Sequence, residues 1–180
     1  DRDGYTEQKK AVVERFTREA KNLYPGRYKR QALRFARAEP EDTEALRRLA
    51  RASEAHWGYD EAFMENFDAG FNVTEDFIRR NPVYAAGDCG CPAAFWGIRQ
   101  DRDAWELEYF YVAEERLGRG LGKQMWEHMT GWCGKQEICR IHFVTSPQAV
   151  GFYRKMGAVR DGETRSPVDG RPVPHFVYDL

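Results

Sequence analysis

Apolar residues recur along this chain with two different spacings, and each spacing predicts one type of secondary structure. Val12, Phe16, Ala20 and Leu23 are three or four residues apart, which predicts an amphipathic helix from Thr6 to Tyr24. The same periodicity, together with capping and stop residues, predicts further helices over residues 39–56, 57–71, 74–81 and 147–157. Another helix is predicted after the glycines of residues 118–122, with Leu121, Met125, Met129 and Trp132 facing inward.

Alternating and β-rich segments account for most of the remaining chain. They predict a strand over 32–38, a hairpin over 83–100, and strands over 104–112, 140–145, 158–163 and 174–180. Helices placed between strands in this order predict an α/β (α+β) fold with a sheet of mixed direction. The chain shows no internal repeat and no low-complexity linker.

Composition and charge narrow the class of protein. The 180 residues suffice for one domain with a core, and a net charge of -1 gives no case for a nucleic acid or a membrane as partner. No apolar run is long enough to span a bilayer, and no signal-peptide pattern opens the chain, so we expect a cytoplasmic protein.

The four cysteines do not predict a metal site. Cys89, Cys91, Cys133 and Cys139 do not follow the Cys-x2-Cys spacing usual for zinc, and no histidine lies in register with either pair. We expect free thiols and no metal.

The segment 115–125, ERLGRGLGKQM, places three glycines at alternate positions where a helix begins. Glycines let an anion approach free backbone N–H groups at a helix N-terminus, so this turn predicts a phosphate site. A P-loop is excluded because Gln124 follows Lys123, and the dinucleotide fingerprint is excluded because no glycine lies three residues beyond Gly122. A tight turn with a purely structural role is the alternative.

The glycine segment and a second motif later in the chain together resemble a known family. The glycine segment, followed by a strand and then by SPQAVGFYRKMGA, resembles the GNAT superfamily of acetyl-CoA-dependent N-acetyltransferases over about residues 31–180. The resemblance implies a central, mixed, mostly antiparallel sheet of about six to seven strands flanked by helices. It divides the chain into an N-terminal helical extension, 1–30, and an acetyltransferase domain, 31–180.

The resemblance implies that acetyl-CoA is the co-substrate. The residues matching the family's CoA site are Phe110, Tyr111, Val112, Leu117, Gly118, Arg119, Gly120, Leu121, Gly122, Lys123, Ser146, Ala149 and Tyr153. Leu117 departs from the family pattern, which has Gln or Arg there. We therefore expect backbone amides to provide most of the phosphate contacts, with Arg119 or Lys123 assisting.

Three residues are predicted to carry the chemistry. Glu106 lies eleven residues before Leu117, where the histone-acetylating branch of the superfamily has its catalytic glutamate, and is the first choice of base; Glu108 is the second. Being two apart on a strand, both are expected on one face with Phe110 and Val112. The alternative is that they pair with an arginine such as Arg99.

For the acid, the resemblance assigns Tyr153, the tyrosine of the family's Phe-Tyr pair. The acceptor pocket is predicted from His56, Trp57, Tyr59 and Arg171. Phe63 is expected in the core, and Ser166 is a further candidate that, with Arg171, could meet an acidic group.

The sequence thus predicts transfer of an acetyl group to a primary amine, carried by a small molecule or a peptide. The alternative from another class is a non-catalytic, CoA-binding interaction module. A homodimer stays open.

Overall fold

A computed structural model describes residues 33–88 and 91–180, together with 12, 13, 15 and 16; the side chain of Asp88 is not described. The chain divides into two units, Asp1–Ala32 and Leu33–Leu180, and the second contains the sheet with its helices. Residues 12, 13, 15 and 16 are helical, and the rest of the helix predicted from Thr6 to Tyr24 lies outside the described residues.

The elements of the second unit follow the predicted order. The helices are α1 (Thr43–Ala55), α2 (Glu61–Gly70), α3 (Glu75–Arg80), α4 (Leu121–Lys135) and α5 (Val150–Lys155). The strands are β1 (Ala36–Arg37), β2 (Val83–Asp88), β3 (Cys91–Asp101), β4 (Ala104–Val112), β5 (Arg140–Val144), β6 (Val159–Arg165) and β7 (Pro172–Asp179). Three 3-10 turns occur at Pro40–Asp42, Glu114–Arg116 and Pro147–Ala149.

Local capping explains where the short helices begin. The Asp60 carboxylate accepts a hydrogen bond from the Phe63 amide, so α2 begins after Asp60 and not at residue 57 as predicted. Thr74 caps α3 in the same way, as the sequence predicted. The strand predicted over 32–38 is shorter than expected, since only Ala36–Arg37 pairs with β2.

The described strands form one seven-stranded sheet in the order β1-β2-β3-β4-β5-β7-β6. Its neighbouring strands are antiparallel except for β4 and β5, which are parallel and joined through α4. The predicted mixed, mostly antiparallel sheet is therefore confirmed. The expectation of helices between parallel neighbours applies to this one pair.

Helices cover both faces of the sheet, and β3 is buried between them. Its adjacent residues Phe95 and Trp96 are both fully buried, on opposite faces. Trp96 packs in a cluster with α4, which we call the α4 cluster, whereas Phe95 packs in a cluster with α1 and α2, which we call the α1 cluster.

An irregularity in β4 interrupts the alternation of its side chains. Gly97 pairs with Tyr109 and Ile98 with Leu107, so Glu108 is an extra residue without a partner on β3. Leu107 packs in the α4 cluster and Tyr109 in the α1 cluster, although they are two residues apart. Each β4 side chain after the bulge therefore lies on the face of the sheet opposite to the one that strict alternation would give it.

Candidate active site

Strands β4 and β5 separate soon after they pair. Only Trp105 with Ile141 and Glu106 with His142 are in register, so the edge of β4 beyond Glu106 has no β5 partner. A cavity of about 560 Å³ lies at this opening. Its lining residues are Ser53, Glu54, Trp57, Leu107, Glu108, Phe110, Tyr111, Val112, Arg116, Leu117, Gly118, Gly120, Gly122, Lys123, Phe143, Val144, Thr145, Ser146, Gln148, Ala149, Phe152, Tyr153 and Met156.

The glycine turn forms one wall of this cavity. Gly118 and Gly120 have φ angles of 69° and 84°, in the left-handed region that glycine adopts without strain. Gly120 is the N-cap of α4 and no side chain caps this helix, which leaves the N–H groups of its first turn available to an anion. A Cβ on Gly122 would lie 3.2 Å from the Phe152 ring, so glycine also permits the packing of α4 against α5.

The side chains of residues 116–123 differ in whether they line the cavity. Arg116 and Lys123 line the cavity, whereas the predicted CoA ligand Arg119 is exposed and does not line it. Leu117 lines the cavity and remains 39% exposed, while Leu121 is buried in the α4 cluster. Arg116, which the sequence did not predict as a CoA ligand, is thus a cation of this segment that reaches the cavity.

Both glutamates of β4 contact one arginine. Arg99 donates hydrogen bonds from Nε and Nη2 to the Glu106 Oε2, at 2.9 and 2.7 Å, and its Nε lies 3.0 Å from the Glu108 Oε2. Glu108 lines the cavity and Glu106 does not. Burial raises the pKa of Glu108, Arg99 opposes this shift, and the charge of Glu106 adds to it.

One expectation about β4 is wrong. Phe110 and Val112 pack in the α4 cluster, whereas Glu106 and Glu108 meet Arg99. The cause is the bulge at Glu108, which removes the strict alternation on which the expectation rested. The predicted alternative, a pairing of these carboxylates with Arg99, is present.

A third carboxylate lies in the cavity and was not predicted. Glu54, at the end of α1, accepts a hydrogen bond of 3.1 Å from the Tyr111 hydroxyl. Burial raises its pKa, and the Tyr111 hydrogen bond and the charge of Arg171 oppose the shift. A signal existed in the sequence, because Glu54 continues the buried stripe of Leu46 and Ala50 at intervals of four residues.

Tyr153 closes the opposite wall of the cavity from α5. Its ring packs 4.6 Å from that of Phe143, between centroids, and only 6% of the residue is exposed. Burial raises its pKa well above the ordinary value, and a side-chain hydrogen bond with Thr145 offsets part of the shift. Tyr153 therefore keeps its proton at neutral pH.

The four predicted acceptor residues are not gathered at one place. Trp57 lines the cavity, and the His56 Nδ1 lies 3.2 Å from the Glu114 carboxylate. Tyr59 and Arg171 contact each other, with the guanidinium carbon 4.3 Å from the ring centroid. Phe63 is buried in the α1 cluster, as expected.

Other expectations from composition concern thiols, metals and membranes. Cys91, Cys133 and Cys139 are free thiols. Within the described residues, no group of three or more His, Cys, Asp or Glu side chains is arranged to hold a metal ion. No helix in the part of the chain that the structure describes is both long and apolar enough to cross a membrane.

The fold and the sequence both relate this chain to known proteins. A mixed sheet that opens beside a glycine-rich helix start is the fold of the acyl-CoA N-acyltransferases. Within that class the chain belongs to the acetyltransferase (GNAT) family, whose model matches residues 41–158. A search of curated proteins gave no match.

Solved structures share the fold at low sequence identity. PaiA N-acetyltransferase from Thermoplasma acidophilum, in complex with coenzyme A, has a TM-score of 0.65 at 19% identity over 82% of this chain and 99% of that one. The ribosomal-protein-S18-alanine N-acetyltransferase from Escherichia coli has 0.61 at 16%, over 82% and 93%. An aminoglycoside 6'-N-acetyltransferase complexed with coenzyme A has 0.62 at 14%, over 82% and 97%.

Proposed function

We propose that this protein transfers the acetyl group of acetyl-CoA to a primary amine by direct attack, within the cavity between β4 and β5. The observation that carries the proposal is that this cavity joins the glycine-rich start of α4 to Glu108 and Tyr153. An anion site, a base and an acid thus lie along one continuous opening. The neighbours complexed with coenzyme A, and those named for amine acceptors, support this choice.

The phosphates of acetyl-CoA would be held at the start of α4. The amides of its first turn and the helix dipole provide this site, and Arg116 and Lys123 add positive charge. These contacts would replace the one that a Gln or Arg side chain makes in the family at the position of Leu117. The pantetheine amides would bind the unpaired edge of β4 as an added strand.

Glu108 is the base of this proposal. An amine that arrives as an ammonium ion must lose a proton before its nitrogen can attack. The bulge aims Glu108 into the cavity, and its raised pKa makes its carboxylate a better proton acceptor than an exposed one. Glu106, the first choice from the sequence, holds Arg99 beside it.

Tyr153 is the acid. When the amine nitrogen bonds to the thioester carbonyl carbon, the oxygen becomes an oxyanion, which a backbone N–H of residues 110–112 would stabilise. As the C–S bond breaks, the Tyr153 hydroxyl gives its proton to the departing thiolate. The phenolate then recovers a proton from the former amine nitrogen, so the products are an amide and free CoA thiol.

The remaining expectations from the sequence belong to this proposal. They are an acetyltransferase domain over residues 31–180, an N-terminal helical extension over residues 1–30, and a cytoplasmic location. The acceptor is a small-molecule or peptide amine, and no nucleic acid is required.

The base is tested by comparing two matched variants, Glu108→Gln and Glu106→Gln, with an acceptor found by measuring thiol release. We expect wild-type kcat/KM to fall at acid pH as Glu108 protonates, because burial raises the pKa of this carboxyl. We expect Glu108→Gln to lower kcat by roughly 10² to 10⁴-fold and to remove this acid limb. Glu106→Gln removes the same group two residues away and keeps the limb.

The opposite result is equally clear. If Glu106→Gln removes the acid limb and Glu108→Gln keeps it, Glu106 is the base, as counting from Leu117 predicted. If acetyl-CoA binds but no thiol is released with any of the amines tested, from either the wild-type or the variant proteins, the chain is the non-catalytic binding module.

A further inference from the structure

The last turn of α1 carries a glutamate at a position where a helix favours a positive charge. Glu54 precedes Ala55, the final residue of α1, and this last turn contains no basic residue. The C-terminal end of a helix has a partial negative charge, so a carboxylate is unfavourable there and a cation is favourable. Glu54 therefore lowers the stability of the helix end unless a positive group lies beside it.

The described chain brings no such group into contact with Glu54. Its Oε1 accepts a hydrogen bond of 3.1 Å from the Tyr111 hydroxyl, which burial keeps neutral. Its Oε2 accepts no hydrogen bond from the described residues, and no Lys, Arg or His among them forms an ion pair with it. A half-buried carboxylate without a cation is unfavourable, because burial removes part of its hydration.

Glu54 differs in this respect from the other glutamate of the cavity. Both line it, Glu54 from α1 and Glu108 from β4. Glu108 has a cation of its own, because the Arg99 Nε lies 3.0 Å from its Oε2. Arg116 and Lys123 also line the cavity, but they belong to the glycine segment that is proposed to hold phosphates. Glu54 is thus a carboxylate of the cavity whose missing cation a ligand could supply.

An indole forms part of the same wall of the cavity. Trp57 lines the cavity and is 38% exposed, and its amide donates to the Glu54 carbonyl at 3.0 Å. The His56 ring contacts the indole edge to face, 4.9 Å between centroids, and the His56 Nδ1 lies 3.2 Å from the Glu114 Oε1. These contacts hold the indole in place. A carboxylate and an aromatic face in one wall are the groups that bind an ammonium ion.

We infer that Glu54 and Trp57 bind a second positive charge of the acceptor, which is therefore a diamine or a polyamine. The reacting amine lies at Glu108, and the distal ammonium lies at the end of α1, where it donates to the free oxygen of Glu54. The inference rests on the proposed function and names its substrate class. A monoamine lacks the second cation, and an acceptor with a carboxylate in its place meets a like charge.

The test uses acceptors of similar length that differ only at the far end. Putrescine ends in an ammonium, butylamine in a methyl group and γ-aminobutyrate in a carboxylate; cadaverine with pentylamine, and spermidine, extend the series to other spacings. We expect the preferred diamine to exceed its monoamine in kcat/KM by roughly 10-fold or more, beyond the advantage of having two equivalent amines, because a charged hydrogen bond is lost. The acceptor with a carboxylate should be the poorest, because it meets the charge of Glu54.

Variants connect this preference to the end of α1. Glu54→Gln is expected to raise the KM for the preferred diamine by roughly 10- to 100-fold and to remove its advantage over the monoamine, with little change in the kcat for the monoamine or the KM for acetyl-CoA. Trp57→Ala should lower the same advantage by roughly several-fold, and Trp57→Phe should retain part of it. Glu44→Gln is the matched control, because it removes an exposed glutamate of α1 that does not line the cavity. Melting temperatures show whether each variant is folded.

The outcomes separate this inference from the proposed function. Equal kcat/KM for diamines and monoamines, or a Glu54→Gln variant that keeps the preference, overturns the second cation site and leaves the acetyltransferase activity standing. A Glu54→Gln variant that loses turnover of the monoamine as strongly as that of the diamine overturns it as well, because Glu54 would then act on the reacting amine. Calorimetric titration into the CoA complex covers the case without turnover, since diamines that bind no more tightly than monoamines overturn the site. Failure of acetyl-CoA itself to bind overturns the proposed function.

Discussion

Tyr153 is almost completely buried and is one of the residues that line the cavity. Its ring is held by the aromatic residues around it, among them Phe143 and Phe110. Burial raises the pKa of the hydroxyl, so it keeps its proton at neutral pH. A residue that only filled the core would function equally well as phenylalanine.

Replacing Tyr153 by Phe tests this distinction. We expect kcat to fall by roughly 10²-fold or more because the thiolate leaves without a proton donor, with little change in the KM for acetyl-CoA. Tyr178→Phe is the matched control, as Tyr178 also packs on Trp126, at 5.0 Å, and does not line the cavity. Unchanged turnover in Tyr153→Phe would exclude the acid role.

At the scale of elements, the glycine turn before α4 is where we propose that phosphates bind. A residue with a left-handed backbone conformation directs its N–H group differently from a residue in a right-handed conformation. Because glycine has no Cβ, an anion can approach that N–H group closely. Gly118 fulfils both conditions, since its φ is 69° and an added Cβ would meet no atom of the described chain within 4 Å. Any clash of that Cβ would therefore be with the ligand.

The matched pair Gly118→Ala and Gly131→Ala tests the role of this turn. Gly118→Ala should lower the free energy of unfolding by about 1 kcal/mol and weaken acetyl-CoA binding, because alanine is strained at this φ. Gly131 is exposed within α4, and a Cβ added there would meet no atom of the described chain within 4 Å. Gly131→Ala should therefore raise the free energy of unfolding by about 0.5–1 kcal/mol. Urea unfolding and titration calorimetry measure both. Equal effects of the two changes would remove the special role of the turn.

At the scale of the whole molecule, the separation of β4 from β5 creates the site. The two strands pair at Trp105 and Glu106 and then diverge, and α4 and α5 bound the resulting opening. Helices pack on both faces of the sheet, and the lining of the opening comes from both of the clusters that they form. A ligand that fills it bridges elements distant in sequence and should stabilise the native state.

Thermal unfolding with separate ligands checks this expectation. Acetyl-CoA at about 100 times its Kd should add about 2.7 kcal/mol of stability, which corresponds to a rise of several degrees in Tm, because it binds only the native state. ATP and NAD, which share the adenine nucleotide but lack pantetheine, should give a smaller rise. A response to ATP equal to that to acetyl-CoA would instead indicate a general nucleotide site.

Part of the site was predictable because it depends on residues close together in sequence. The glycine turn has its conformation set by Gly118 and Gly120 themselves, and Tyr153 follows from a local Phe-Tyr motif. The position of Glu108 was not predictable, because strict alternation assumes a regular strand and the bulge arises from pairing with β3. Helix α2 was misplaced by four residues for a local reason, the cap at Asp60.

The sequence alone determined the order of helices and strands, the mixed sheet and the family, because periodicity and short motifs are local properties of the chain. Only the tertiary structure decided which carboxylate faces the cavity, that Glu54 joins it from α1, and that Arg171 stacks on Tyr59. Each of these facts is a contact between elements far apart in the chain. Such contacts follow from how the sheet twists, bulges and opens, which no local pattern of residues records.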